Sequence, residues 1–260
     1  MLLAIDVGNT NIVIGCMDGE TIEFTERLST DAGKTSLEYA ILFKTALDIH
    51  HVDTSRIDGA IISSVVPPVT PVIRTALRKI TGIKALILGP GTRTGLNIRL
   101  DDPGTIAGDL VATAVAVKEE YPLPAIIIDM GTATTVTVVS AEGAYIGGSI
   151  LPGAGISLEA LARETALLPN IEFKAPKKVI GTNTVDAMKS GIIYGSAGAL
   201  DGLIDRYLEE LGGSASIVIT GGMGRLIAPY CTHEMTVDNR LLLRGLGIIW
   251  RKNRPSGKNN

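Results

Sequence analysis

The segment Asp6-Val7-Gly8-Asn9-Thr10-Asn11 has a counterpart, Asp129-Met130-Gly131-Thr132-Ala133-Thr134, in the other half of the 260-residue chain. Each opens with an aspartate that closes an apolar run, Leu2-Leu3-Ala4-Ile5 in the first and Ala125-Ile126-Ile127-Ile128 in the second. Each then passes through glycine and small hydroxyl or amide residues into another β-branched run. That order describes a strand, a tight turn and a second strand, with a carboxylate at the tip and backbone N–H groups left open by glycine. One such tip is equally well read as a hairpin held by an Asx turn. Two copies point instead to a duplicated unit, with a metal–nucleotide phosphate tail held between two facing halves.

The element order supports duplication. The first half predicts strands over 2–7, 12–17 and 21–28, with a turn at Asp18-Gly19. A helix over 36–50 follows, opened by the capping box Thr35-Ser36-Leu37-Glu38. Next come a strand over 59–66, a helix capped by Thr70 with Pro71 at its first position, a strand over 83–88, and a helix over 105–121 ended by Pro122. The second half predicts strands over 125–129, 134–139 and 144–150, helices over 156–166 and 185–210, and a strand over 216–220. A short helix over 223–229, a weak strand over 235–237 and a helix over 239–250 complete it. Both halves read βββαβαβα, with residues 167–183 as an insertion. The fold class is therefore α/β, with two duplicated domains over 1–118 and 119–255, each carrying a mixed five-stranded sheet flanked by helices. Residues 256–260 read as a flexible tail.

Composition narrows the partners. A chain that is 45% hydrophobic and 20% charged can bury a full core. A net charge of −3 without a dense Lys/Arg face argues against nucleic acid or an anionic membrane as partner. No apolar run approaches the roughly 20 residues that span a bilayer. Cys16 and Cys231 form no C-x-x-C pair and read as plain thiols in a reducing compartment. With no charged segment followed by an apolar one at the start, the expectation is a cytoplasmic protein with a small-molecule partner.

Several motifs are decoys. Gly33-Lys34-Thr35 ends like a Walker A loop, but Leu28 stands where that loop needs glycine. Gly89-Pro90-Gly91-Thr92-Arg93-Thr94-Gly95 has the wrong spacing for a dinucleotide fingerprint and reads as a loop. His50, His51 and His233 have no partners at zinc-ligand spacing. The basic end Arg251-Lys252-Asn253-Arg254 suits a helix C-terminus.

Phosphoryl transfer needs positioning and charge neutralisation more than covalent help. Asp6 and Asp129 at strand ends can each hold hydrated Mg²⁺, an ion that keeps several waters and takes one or two carboxylates. Gly8 and Gly131 admit a phosphate to the backbone, and Asn9, Thr10, Asn11, Thr132 and Thr134 add donors. A third element, Ile217-Val218-Ile219-Thr220-Gly221-Gly222-Met223-Gly224, runs a strand into consecutive glycines, offering a flat wall for a purine and a helix N-terminus for anions. Its plain alternative is a tight strand-to-helix turn.

Taken together, the tips and the Gly-Gly element resemble the superfamily of sugar kinases, heat-shock chaperone ATPases and actin, whose duplicated ribonuclease-H-like domains clamp ATP. More closely, the chain resembles the type III pantothenate kinases. The matching segments are Asp6 to Asn11, Thr94-Gly95-Leu96-Asn97-Ile98 with Asp109 beyond it, and Asp129 to Thr135. Further matches are Gly147-Gly148-Ser149-Ile150 with Pro152-Gly153, Ile180-Gly181-Thr182-Asn183-Thr184, Ala187-Met188, Ser190-Gly191, Tyr194-Gly195 and Thr220-Gly221-Gly222. They run in family order from residue 1 to about 250.

The resemblance implies a homodimer that phosphorylates the terminal hydroxyl of pantothenate with ATP, Mg²⁺ and K⁺ or NH₄⁺, the first step of coenzyme A biosynthesis. It implies that Asp6, Val7, Gly8, Asn9, Thr10 and Asn11 bind the ATP phosphates, with Asp6 reaching Mg²⁺ through water, and that Thr132 contacts ATP. It implies Asp129 as monovalent-cation ligand, Asp109 as proton acceptor, and Ala107, Gly108, Asp109, Leu110 and Thr184 as substrate contacts, Thr184 at the dimer interface. From the residues alone, Asp109 reads equally as a carboxylate favoured by the helix dipole. The chain departs from the family pattern around this base: Ala107-Gly108-Asp109-Leu110 replaces Gly-Ala-Asp-Arg, and Leu100 stands where tyrosine is usual. Losing a charge-assisted contact to an anionic acceptor lowers affinity by roughly tenfold to a hundredfold. The acceptor is thus open at this stage between pantothenate and another small hydroxyl compound, and a non-catalytic ATP-binding role is the third alternative.

Overall fold

Leu2–Val7 and Ala125–Met130 share one burial pattern: every residue is buried except the aspartate in the fifth place, Asp6 or Asp129. Each is flanked on both sides by paired strands and is buried on both of its faces, and the second of these is why its apolar run is unbroken rather than alternating. These are features of a computed structural model that describes residues 1–165 and 167–254.

In chain order the strands are β1 (Leu2–Val7), β2 (Asn11–Asp18), β3 (Thr21–Ser29), β4 (Gly59–Ser64), β5 (Leu86–Ile87), β6 (Asn97–Ile98), β7 (Ala125–Met130), β8 (Ala133–Val139), β9 (Ala144–Pro152), β10 (Ser216–Thr220) and β11 (Thr236–Val237). The helices are α1 (Ser36–Ile49), α2 (Thr70–Thr81), α3 (Gly108–Glu120), α4 (Ala154–Glu164), α5 (Thr184–Glu210), α6 (Gly224–Ile227) and α7 (Leu241–Asn253). The chain divides into two units: Met1–Leu96 with Asp101–Glu119 and the segment beginning at Arg240, and Asn97–Leu100 with Glu120–Asn239.

In the first unit the sheet order is β3-β2-β1-β4-β5. In the second the order β9-β8-β7-β10-β11 repeats it, with β6 added beyond β9. In each, the central strand pairs antiparallel with the next strand and parallel with the fourth. The second sheet therefore has six strands rather than the five expected, because Asn97–Ile98 pairs with Ala144 and Tyr145.

Helix α1 begins as its sequence predicts, with the Thr35–Glu38 capping box intact. Thr70 is not the cap of α2. Val69 takes that place, and the Thr70 hydroxyl donates back to Ser64 Oγ at 2.7 Å. In the first core, Tyr39, Phe43 and Leu47 of α1 and Ile73 and Leu77 of α2 cluster with Leu3, Ile5 and Ile62. In the second core, Ile193, Leu200 and Ile204 of α5 pack with Ile126, Ile128 and Val136.

Chain order assigns the last helix to the second half, yet α7 belongs to the first unit. Its side chains fill spaces that glycines leave over the first sheet: Leu243 lies 2.7 Å from the position of a Cβ on Gly15, and the Trp250 ring covers Gly59. Gly245 in turn lets α7 press on the α3 backbone at Ala112. The predicted tail 256–260 lies outside the described residues.

Both cysteines are free. Burial pushes the Cys16 thiol up to about 11 and the Cys231 thiol up to about 12. Since the thiolate is the nucleophile, neither is expected to react with iodoacetamide at neutral pH until denaturant is added. Mass spectrometry of native and unfolded samples reads this directly, and labelling of the native protein at the rate of an exposed thiol would contradict it.

Candidate active site

The two tips are hairpin turns of unequal length. The last pair of β1 and β2 is Val7↔Ile12, leaving Gly8, Asn9, Thr10 and Asn11 in the turn. The last pair of β7 and β8 is Met130↔Thr134, leaving only Gly131, Thr132 and Ala133. The first turn closes by Gly8 N–H to the Asn11 carbonyl at 2.9 Å, the second by Gly131 N–H to the Ala133 carbonyl at 3.0 Å. The first is also tied sideways: Thr30, just past β3, donates its hydroxyl to the Gly8 carbonyl at 2.6 Å and its N–H to the Thr10 carbonyl at 2.9 Å.

Parallel pairing of β1 with β4 sets Asp6 opposite Ser63. Ser63 is fully buried, and its hydroxyl has no hydrogen-bond partner. That oxygen lies 3.2 Å from where a Cβ on Gly108 would stand, so β4 brings the Asp6 end of the sheet under the first turn of α3. Ala107, Gly108, Asp109 and Leu110 are all partly buried there. An unsatisfied buried hydroxyl is costly, and native structures keep such groups mainly where something else is gained. The sequence reading missed Ser63, because a serine in an apolar strand does not reveal whether its oxygen will be sealed.

Asp109 is the second residue of α3 and accepts the Leu110 N–H at 2.8 Å. Burial raises its pKa from the ordinary carboxylate value, against the lowering effect of its backbone hydrogen bonds. Among the described residues no basic side chain pairs with it. Glu38, also in a first helical turn, shows the contrasting case: its bonds to Thr35 hold its pKa down, as expected of a capping carboxylate. Asp109 behaves differently from a cap. It is a desolvated carboxylate without a counter-charge, the environment that tunes a proton acceptor.

In the second unit Asp129, next to last in β7, lies between Thr135 of β8 and Thr220 of β10. The Thr135 hydroxyl is buried without a partner. Gly221 has φ +87°, and a Cβ there would lie 2.5 Å from Asp129 Oδ1 and 2.6 Å from the Met130 backbone. The Gly-Gly element is thus pressed on the Asp129 tip, with Gly222 exposed beside it. The short helix expected over 223–229 is α6, four residues long, which runs on only as a 3-10 turn over Ala228–Tyr230. Thr132 is exposed at the tip, and its carbonyl lies against Gly153.

Thr184 opens α5, whose cap is Asn183 accepting the Asp186 N–H at 2.9 Å. It borders an open hollow of about 600 Å³ with Leu161, Leu168, Thr182, Met188 and Gly191. Leu100 falls in the second unit, its Cδ2 3.5 Å from the position of a Cβ on Gly147. Within the first unit, then, Ser63 stands between Asp6, its register partner, and Gly108 in the first turn of α3, and within the second, Asp129 and Gly221 are in contact.

The sequence model of the family described as type III pantothenate kinase matches residues 2–206. A type III pantothenate kinase of Koribacter versatilis is 43% identical, covering 98% of this chain and 97% of its own. One from Moorella thermoacetica is 42% identical, covering 97% of this chain and 100% of its own. Among solved structures, a Sinorhizobium meliloti protein described as a 2-dehydro-3-deoxygalactonokinase superposes with a TM-score of 0.60 at 12% identity, over 100% of this chain and 99% of its own. At that identity the likeness is one of fold.

Proposed function

The chain belongs to the type III pantothenate kinase family, and we propose that Asp109 is the general base as the enzyme transfers the γ-phosphoryl group of ATP to the terminal hydroxyl of pantothenate. The observation that carries the assignment is the partly buried Asp109 carboxyl, without a counter-charge and with its pKa raised by desolvation. In the reaction Asp109 accepts the proton of the attacking hydroxyl and orients that oxygen, as kinase aspartates do. The product, 4'-phosphopantothenate, enters coenzyme A biosynthesis. Gly8, Asn9, Thr10 and Asn11 present backbone N–H groups to the phosphates, with Val7 fixing the strand below them, and Thr132 contacts ATP. Gly221 and Gly222 give the adenine a surface free of side chains. Ala107, Gly108, Leu110 and Thr184 contact pantothenate, Leu110 by apolar contact alone.

The cation assignments follow from the donors present. No group of three or more His, Cys, Asp or Glu able to hold a metal occurs among the described residues. A single carboxylate such as Asp6 suits Mg²⁺ held through its waters. Asp129 is the register partner of Thr135, whose hydroxyl is orphaned, and oxygen donors of this kind suit a weakly hydrated monovalent cation, K⁺ or NH₄⁺. When bound, both ions neutralise phosphate charge. The second unit also exposes Ile150, Leu167 and Ile180, by 77%, 91% and 81%. Apolar exposure on that scale supports a homodimer that covers it. The free thiols fit a cytoplasmic enzyme.

ADP release is expected to depend on added pantothenate in Mg²⁺ and K⁺, and to slow when Na⁺ replaces K⁺ at constant ionic strength. Nucleotide binding without pantothenate-dependent turnover would overturn the kinase assignment. Equal rates in the two salts would remove Asp129 from the monovalent site.

A further inference from the structure

Thr30 lies outside every segment assigned to ligands above, yet it makes two hydrogen bonds to the Gly8–Asn11 turn. Its hydroxyl donates to the Gly8 carbonyl at 2.6 Å and its N–H to the Thr10 carbonyl at 2.9 Å. A peptide unit is planar and trans, so its N–H points opposite to its C=O. With the carbonyls of Gly8 and Thr10 both drawn toward Thr30, the N–H groups of Asn9 and Asn11 are turned the other way. An anion at the tip then meets donors instead of carbonyl oxygens, which would repel it.

The clip is itself braced. The next residue, Asp31, donates its N–H to Tyr39 Oη at 2.9 Å, and the Tyr39 hydroxyl donates to the Asp31 carbonyl at 2.9 Å. Tyr39 is fully buried in the first core, where it meets Phe43 with ring centroids 6.0 Å apart. Beyond it, Asp31 accepts the Gly33 N–H at 2.9 Å and pairs with Lys34 at 2.8 Å. A line of bonds thus runs from a rigid core tyrosine to the peptide planes of the turn. The second tip, one residue shorter, closes on its own hairpin bond.

We propose that Thr30 is a positioning residue for nucleotide binding, setting the Gly8–Asn11 turn in the conformation that receives the ATP phosphates. The inference rests on the reading of that turn as the phosphate-binding element. Because Thr30 acts on nucleotide binding through the turn, its removal should appear in nucleotide affinity before it appears in turnover or in the acceptor.

The test compares Thr30→Val, which keeps the shape and loses the hydroxyl, with Thr30→Ser, which keeps the hydroxyl, in the full-length enzyme. The readouts are Kd and KM for MgATP, KM for pantothenate, and kcat. Thr30→Val is expected to raise Kd and KM for MgATP roughly twofold to tenfold, the range of one net hydrogen bond. KM for pantothenate should change less than that, and Thr30→Ser should restore nucleotide affinity. Thr30→Ala serves the same purpose should the valine variant not fold. Wild-type nucleotide affinity in the valine or alanine variant, or equal weakening of ATP and pantothenate, overturns the proposal. Asp6→Asn separates the two levels. If it weakens MgATP binding while Thr30→Val does not, only the role of Thr30 is lost. If neither does, the phosphate-binding reading of the turn is lost with it.

Discussion

Asp109→Asn is expected to lower kcat for pantothenate phosphorylation by about 10²- to 10⁴-fold, the range that a positioned general base supplies. MgATP binding should change little, because Asp109 acts on the acceptor hydroxyl. The same substitution is expected to make the folded protein more stable at neutral pH. The folded pKa of Asp109 is raised, chiefly by burial, above the ordinary value of 3.8. Below that value the carboxyl is protonated in both folded and unfolded states. As pH rises from there through the folded pKa, the unfolded state loses its proton first and folding stability declines. Above the folded pKa the full cost of burying the charge remains, and asparagine removes it. Turnover should follow the opposite trend, rising with pH as the base ionises. Thermal unfolding from acid to neutral pH, beside steady-state kinetics, checks both parts. A variant as active as wild type, or one less stable at neutral pH and more stable in acid, would count against the assignment.

Gly221→Ala should damage fold and function together. At φ +87° an L-residue is disfavoured by about 1–2 kcal/mol. The added Cβ would also lie 2.5 Å from Asp129 Oδ1 and 2.6 Å from the Met130 backbone, and a strand end cannot easily withdraw. Overpacking adds roughly 1–3 kcal/mol. The thermal midpoint should fall by roughly 5–15 °C. Because the displaced carboxylate is that of Asp129, activity should fall by about a hundredfold, as for a 1 Å error in placement. Gly222→Ala is the comparator for stability: that residue is exposed and has no positive φ, so its midpoint should stay near wild type.

The parts legible in sequence were those whose cause is local. β1 and β7 declare themselves because a central strand buries both faces and leaves one polar position at its end. The capping box of α1 is likewise written in four adjacent residues. β6 is not legible: Asn97–Ile98 has no pattern of its own and becomes a strand only by meeting β9. Nor does the sequence of α7 say which sheet it covers, since the complementary features are glycines at positions 15 and 59. At the candidate site the turns could be anticipated from Asp-x-Gly. The raised pKa of Asp109, the sealed hydroxyl of Ser63 and the clip from Thr30 could not, because each depends on distant segments packing together.

The placement of α7 sets a timetable for synthesis. Residues Glu120–Asn239 carry nearly all of the second unit and leave the ribosome as one stretch, whereas the first unit waits for the segment beginning at Arg240. Domains made earlier usually fold earlier. Here the order is partly inverted: the β-sheet made first stays bare over Gly15 and Gly59 until Leu243 and Trp250 emerge. The half that bears Asp6 and Asp109 is therefore the last to be finished, so a chain cut short before α7 leaves bare both the sheet that holds Asp6 and the α3 backbone at Ala112.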